Sequence, residues 1–296
     1  VADDYGRTAL MVSVKYGHAQ CVRLLCDAKA DVHARFRIDG RTVLMMAEYE
    51  SAECVQLLLD AKADIHAKDR FGKTALICAC EHGNAAGARV LVEAKAGIHA
   101  KCGLCGSTAL LWALTHAHIE CAKLLLDAKA DIRVKNEDGN TALTLAALRD
   151  DSACVQLLVD AKADVRARNR NGATALIAAA QRGRAECLRV LIDAKADLNA
   201  RNKNNETALL LAVRVQSDAC VQLLVNARAE LDVQAKSDGC TALMLAVRCN
   251  STARTGMPAT VQLLVGARAD PALQDHDGRT ALMWAIDDGN TQYVPV

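Results

Sequence analysis

The chain predicts an all-α repeat solenoid, and three observations carry that prediction. Asp-Ala-Lys-Ala-Asp at 27–31 returns at 60–64, 127–131, 160–164 and 193–197, with looser copies at 93–97, 226–230 and 266–270. A Thr-Ala-Leu-like triplet keeps the same beat, opening at Thr8, Thr42, Thr74, Thr108, Thr141, Thr174, Thr207, Thr241 and Thr280. Successive threonines are 32 to 34 residues apart until a last step of 39. The composition is 52% apolar with three prolines, which suits short helices in close contact. A fixed period near 33 marks stacked units that cannot bury their faces alone. The unbroken beat predicts one array over residues 1–296.

Residues 64 to 97 serve as the type unit. Asp64 to Lys68 and Asp69 to Lys73 flank a turn and form a hairpin-like finger, with Gly72 where φ must be positive. Thr74 is an N-cap, its hydroxyl free to take a first-turn N–H. Ala75, Leu76, Ala79 and Cys80 line one face of a short first helix, which Gly83 breaks. Gly87 to Ala94 form a second, antiparallel helix with Val90 and Leu91 inward, and the chain leaves at Lys95. Neither helix is long enough to persist by itself.

This finger–helix–turn–helix unit resembles the ankyrin repeat, in nine copies with the last truncated. The motifs are specific. Gly stands two before Thr in eight of nine copies, Asn205 replacing it once, and Ala stands five after Thr in eight. Cys-Val-x-Leu-Leu and Ala-Asp-[Val/Ile/Leu] follow in most copies. Three departures stand out: Ala or Val43 follows the Thr in place of the family's Pro, and Met, Leu, Ile or Thr stands in place of its His. The Gly that ends the family's second helix is Lys29, Lys62, Lys95, Lys129, Lys162, Lys195, Arg228 or Arg268. A side chain in that left-handed cap costs about 1 kcal/mol.

The 36 basic and 35 acidic residues nearly cancel, which disfavours nucleic acid or an anionic membrane. No apolar run approaches the roughly 18–20 residues of a membrane span. Of thirteen cysteines, Cys21, Cys54, Cys121, Cys154, Cys187 and Cys220 share one repeat position. Stacked helices lie about 8–10 Å apart, beyond the roughly 4.4–6.8 Å a disulfide allows, so these six are expected as buried free thiols. So many free thiols imply a reducing compartment, the cytoplasm or else the nucleus. The abrupt ends read as a fragment of a longer protein.

The resemblance implies a concave surface built from the fingertips and the exposed side of the first helix. On it fall Tyr5, Tyr16, Tyr49, Arg70, Phe71, Lys73 and His116, with Trp112 one turn before His116; Ile38 and Leu104 occupy fingertip positions too. Tyr5, Tyr16, Tyr49, Phe71 and Trp112 are expected as apolar anchors, since aromatic rings give large contact area at low entropic cost. Arg70 and Lys73 are expected to orient the partner. Later units carry a basic stripe, Arg149, Arg170, Arg182, Lys203, Arg214 and Arg248, with Glu137, Asp138, Glu206 and Asp238 among them.

Chemistry is sparse. Cys102-Gly-Leu-Cys105-Gly has the spacing of half a zinc knuckle, but no second pair completes it, and a fingertip with one extra residue is the simpler reading. His33, His66 and His99 recur at repeat spacing, too far apart to share an ion. Phosphate-loop, dinucleotide, zinc-protease and nucleophile-elbow motifs are missing, and stacked units offer no deep pocket. The insertion at 249–259 in the eighth unit is expected as a loop. The sequence therefore predicts a non-catalytic scaffold that takes a protein or peptide partner, without cofactor, metal, nucleic acid, membrane insertion or small-molecule substrate. The alternatives are a permanent architectural subunit of a large complex and an interaction arm of a larger enzyme or channel.

Overall fold

The structure, a computed structural model, describes residues 2–47, 51–249 and 259–287. It divides into two compact halves, residues 1–145 and 146–296. The first half holds α1 (Ala9–Lys15), α2 (Ala19–Asp27), a 3₁₀ turn (Val43–Met46), α3 (Ala52–Asp60), α4 (Ala75–Glu81), α5 (Ala85–Glu93), α6 (Ala109–Thr115) and α7 (Ile119–Asp127). Helix α8 (Ala142–Leu148) carries the boundary. The second half continues with α9 (Ser152–Asp160), α10 (Ala175–Gln181), α11 (Ala185–Asp193), α12 (Ala208–Arg214), α13 (Asp218–Asn226), α14 (Ala242–Cys249), α15 (Ala259–Gly266) and α16 (Ala281–Asp287). No described helix is long and apolar enough to cross a membrane.

The repeat sets the packing. Within the first half α4 packs on α5 and α6, and α3 on α2 and α5; in the second, α12 packs on α10, α13 and α14. First helices such as α4 and α10 are buried almost all round: Ala75 through Cys80 and Ala175 through Ala180 are all inside. Second helices bury one stripe, such as Cys54, Val55 and Leu58 in α3, so they form the outer layer. Each fully buried Leu or Val contributes roughly 1.5–3 kcal/mol, which sets the stability of helices only seven to nine residues long.

Thr8, Thr74, Thr174 and Thr207 each accept the N–H three residues on, capping their helices. All eight Lys or Arg residues at the second-helix exit have positive φ, from 59° at Lys29 to 69° at Arg268. Asp31, Asp64, Asp131, Asp164, Asp197 and Asp270 each accept the N–H two residues on at 2.9–3.0 Å, a side-chain turn that explains the recurring Ala-Asp.

Several expectations need correction. The second unit's first helix is a 3₁₀ turn. Helix α5 starts two residues earlier than the Gly87 opening, because buried Asn84 caps it by accepting from Gly87 N–H at 2.7 Å while donating to the Ala47 carbonyl at 2.9 Å. Ala88, not Val90, is its second core residue beside Leu91. Cys21 is exposed whereas Cys54, Cys121, Cys154, Cys187 and Cys220 are buried, since α2 is the first second-layer helix and only α3 covers its far side. The bulk of the insertion, 250–258, lies outside the described residues.

Candidate functional site

Each finger is closed across its base by one backbone bond, such as Asp69 N–H to the Lys73 carbonyl at 3.0 Å or Asn202 N–H to the Glu206 carbonyl at 3.0 Å. Apart from two isolated bridges, Ala2 with Thr8 and Arg35 with Thr42, the described fingers contain no paired strand. A second set of bonds links one fingertip to the next. In the first half Arg70 N–H donates to Asp39, Gly103 to Phe71 and Glu137 to Cys105, at 2.7–2.9 Å. In the second, Lys203 donates to Asn171, Lys236 to Asn204 and His276 to Asp238, at 2.8–3.0 Å. Side chains reinforce the ladder: Arg35 reaches the Lys68 carbonyl at 2.8 Å, Arg70 the Ile38 carbonyl at 2.7 Å, and Arg168 the Arg201 carbonyl at 2.6 Å. The second to fifth fingers of the first half and the 169–173 to 275–279 fingers of the second are thereby each tied to a neighbour before any partner arrives.

Four successive fingertips in the first half present apolar side chains to solvent: Tyr5 at 59% exposure, Ile38 at 62%, Phe71 at 41% and Leu104 at 65%. Tyr5 and Phe71 stand three residues before Thr8 and Thr74, and Ile38 and Leu104 four before Thr42 and Thr108. Tyr16, at the end of α1, is 57% exposed and lies tilted against His18. Tyr49 lies outside the described residues. Ile38 and Leu104 complete the row although neither is aromatic; their signal in the sequence was position alone, four residues before Thr42 and Thr108.

The other first-half candidates are engaged within the molecule. The Lys73 ammonium bonds both carboxylate oxygens of Glu81 at 2.7 Å and stands 4.1 Å over the Trp112 ring. Trp112 stacks on His116 at 5.6 Å and 9°, His116 on His118 at 6.0 Å and 15°, and the His118 ring reaches the Glu81 carbonyl at 3.1 Å. Lys73 and Glu81 are largely covered, so ion pair and cation–π contact act with little screening. This cluster ties the third unit to the fourth. Arg70 is spent on the neighbouring finger.

In the second half the basic stripe is partly neutralised. Arg214 lies 3.4 Å from Glu206 and 3.6 Å from Asp238, and Arg248 lies 3.5 Å from Asp238 and 5.4 Å from the Trp284 ring. Burial would raise the Asp238 carboxyl, but the Cys240 N–H and the Arg214 and Arg248 guanidiniums outweigh it and hold it below the usual carboxylate range. Arg149, Arg170, Arg182 and Lys203 are exposed and have no ion-pair partner among the described residues. An apolar cleft of about 640 Å³ lies among α14, α15 and α16, a feature the repeat pattern did not suggest. Its only charged lining residue is Arg268, which leaves no acid–base pair there. His33, His66 and His99 are exposed, and no cluster of three or more ligand-type side chains occurs among the described residues.

Models of ankyrin repeats in three copies match residues 1–69, 49–136, 125–202 and 195–254, and a single-repeat model matches 238–276. No curated protein sequence matches the chain. Among solved structures, the human ASB11 ankyrin repeat domain is similar at 26% identity and a TM-score of 0.70, over 76% of this chain and 99% of that one. The ankyrin repeat domain of Bcl-3, a member of the IkappaB protein family, is similar at 28% identity and a TM-score of 0.62, over 75% and 99%. With matched segments running from residue 1 to residue 276 and the finger–helix–helix unit recurring in both halves, the chain belongs to the ankyrin repeat family.

Proposed function

We propose that this chain is a non-catalytic scaffold that binds a protein or peptide partner on the fingers and first-helix surface of its first half. The observation that carries the reading is the row Tyr5, Ile38, Phe71 and Leu104, exposed on four successive fingertips, of which the backbone ladder ties those of Ile38, Phe71 and Leu104. Preset fingers lose little entropy on binding, and apolar side chains emerging from them offer anchor contacts. Tyr16, 57% exposed at the end of α1, belongs to the same proposed surface. Ankyrin repeats are in general protein-interaction modules. The near-balance of 36 basic against 35 acidic residues supports a protein partner over nucleic acid. The cysteine pattern supports the cytoplasm, with the nucleus as the alternative.

The test is affinity capture from source cells with the intact chain beside a Tyr5→Ala/Phe71→Ala variant of equal melting temperature. Loss of the captured protein with the variant supports the reading; equal recovery from both refutes it. A second reading, a subunit held permanently in a larger assembly, draws on Leu282, Met283 and Ile286, exposed along α16. Recovery of one stoichiometric complex by both baits would favour it.

A further inference from the structure

We propose that Cys102 and Cys105 form a reversible dithiol–disulfide couple, a redox modification site built into the fourth fingertip. The two sulfurs lie 2.9 Å apart. Gly106 N–H bonds the Cys102 carbonyl at 3.1 Å and Cys102 N–H the Ser107 carbonyl at 3.0 Å, folding residue 105 back over residue 102. Residues three apart across such a turn fall within the Cα separation a disulfide requires, under roughly 7 Å. The six cysteines at the shared repeat position lie in second helices instead of turns.

The surroundings favour reaction at this pair over the rest. Burial alone would raise the Cys102 thiol, but the Cys105 thiol and the N–H groups of Cys105, Leu104 and Ser107 turn toward its sulfur and bring it below the ordinary value. Burial pushes Cys78 and Cys187 up to about 12, where thiolate is negligible near neutral pH. Cys80 meets Cys121, but that thiol–thiol contact and burial hold the Cys80 thiol well above its ordinary value. Cys102 is 2% exposed, while Cys105 is partly open beside the exposed Leu104. The accessible sulfur and the anion-favouring sulfur are therefore different atoms in contact.

That division assigns the steps with hydrogen peroxide as oxidant. The pair loses one proton; burial and the Cys102 thiol raise Cys105, so the remaining proton rests there and passes to Cys102 across the 2.9 Å contact before the Cys105 anion meets peroxide. The sulfur attacks one oxygen, the O–O bond breaks, and the departing hydroxide is protonated to water, leaving Cys105 as a sulfenic acid. Cys102 attacks that sulfur, the S–S bond forms, the S–O bond breaks, and hydroxide leaves as water with the Cys102 proton. Two thiols are oxidised by two electrons and one peroxide becomes two waters. An external thiol reverses the change by exchange. Gly103, inside the loop so closed, donates to Phe71, and Cys105 accepts from Glu137, so the modification falls within the ladder that sets the apolar fingertips.

The test treats the intact chain with peroxide, quenches it in acid, alkylates it under denaturing conditions and locates the unlabelled cysteines by sequencing mass spectrometry. Exposed Cys21 is the internal control. The expected result is joint loss of label at Cys102 and Cys105 with a mass decrease of about 2 Da, roughly tenfold faster than modification of Cys21, and full recovery on treatment with an external thiol. Cys102→Ser should leave Cys105 trapped as a sulfenic acid that a dimedone probe captures. A pair that keeps its label while Cys21 is modified, or that reacts no faster than Cys21, overturns the proposal.

Discussion

The fingertips of the two halves differ in chemistry although their backbones match. Tyr5, Ile38, Phe71 and Leu104 lead the first four fingers, whereas Arg170, Lys203, Ser237 and His276 hold comparable places in the second half. Within each half, N–H to carbonyl bonds join successive fingers. Scaffold demands are thus met equally, and they do not account for four exposed apolar tips in succession. The difference has to be sought in what each surface meets. The second half places its aromatic Trp284 under Arg279, 4.7 Å away, and bonds its ring nitrogen to Asp275 at 2.9 Å; Arg7 also stands 5.2 Å over the Tyr5 ring, yet Tyr5 stays 59% exposed.

The largest effect separates structural rings from presented ones. Trp112→Ala removes the base on which Lys73 and His116 rest, and should destabilise the first half by about 3 kcal/mol. Tyr5→Ala should cost under about 0.5 kcal/mol, as for an ordinary surface change. Denaturant titration of both variants decides this; similar losses would place Tyr5 among the packing rings.

Next comes the fingertip contact. A Cβ at Gly72, φ 75°, would meet the Gly103 backbone nitrogen at 2.6 Å, whereas one at Gly278, also φ 75°, meets nothing within 4 Å. Gly72→Ala should therefore cost about 2 kcal/mol or more and Gly278→Ala only the left-handed penalty of about 1 kcal/mol. Equal costs in thermal melts would show that first-half fingers yield without disturbing the ladder.

Binding sharpens the contrast further. Ile38→Ala/Leu104→Ala should weaken the captured partner by roughly tenfold or more. Arg170→Ala/Lys203→Ala should change affinity by about threefold at most, and only at low salt. The reverse ranking would move the site to the second half.

The smallest effect is electrostatic. Asp238 has a folded pKa below its unfolded value, so its contribution is present above the ordinary carboxylate pKa of about 3.9 and is lost as pH falls through the lower folded value. Asp238→Asn should flatten the acid side of the stability–pH curve; an unchanged curve would show that Arg214 and Arg248 gain nothing from this carboxylate.

Much of the fold is legible in the sequence because its signals are local and repeated. Thr74 caps, Gly72 turns and Lys95 exits at places that recur from unit to unit. What the sequence hides depends on single side chains meeting across units. Asn84 caps α5 while reaching back to Ala47, and Lys73, Glu81 and Trp112 meet although Lys73 and Trp112 stand in different units. A period cannot encode a contact made only once. Ile38 and Leu104 stand at fingertip positions in the sequence, but an aliphatic side chain there carries no mark that separates a presented residue from a packed one. Their exposure becomes visible only when the neighbouring fingers are in place.

Hydrogen–deuterium exchange of the chain alone and with its captured partner tests the central claim most directly. New protection is expected at residues 3–7, 37–41, 69–73 and 103–107, with 169–173 and 202–206 unchanged. Protection confined to the second-half fingers, or spread over the outer second helices, would contradict a binding surface on the first-half fingertips.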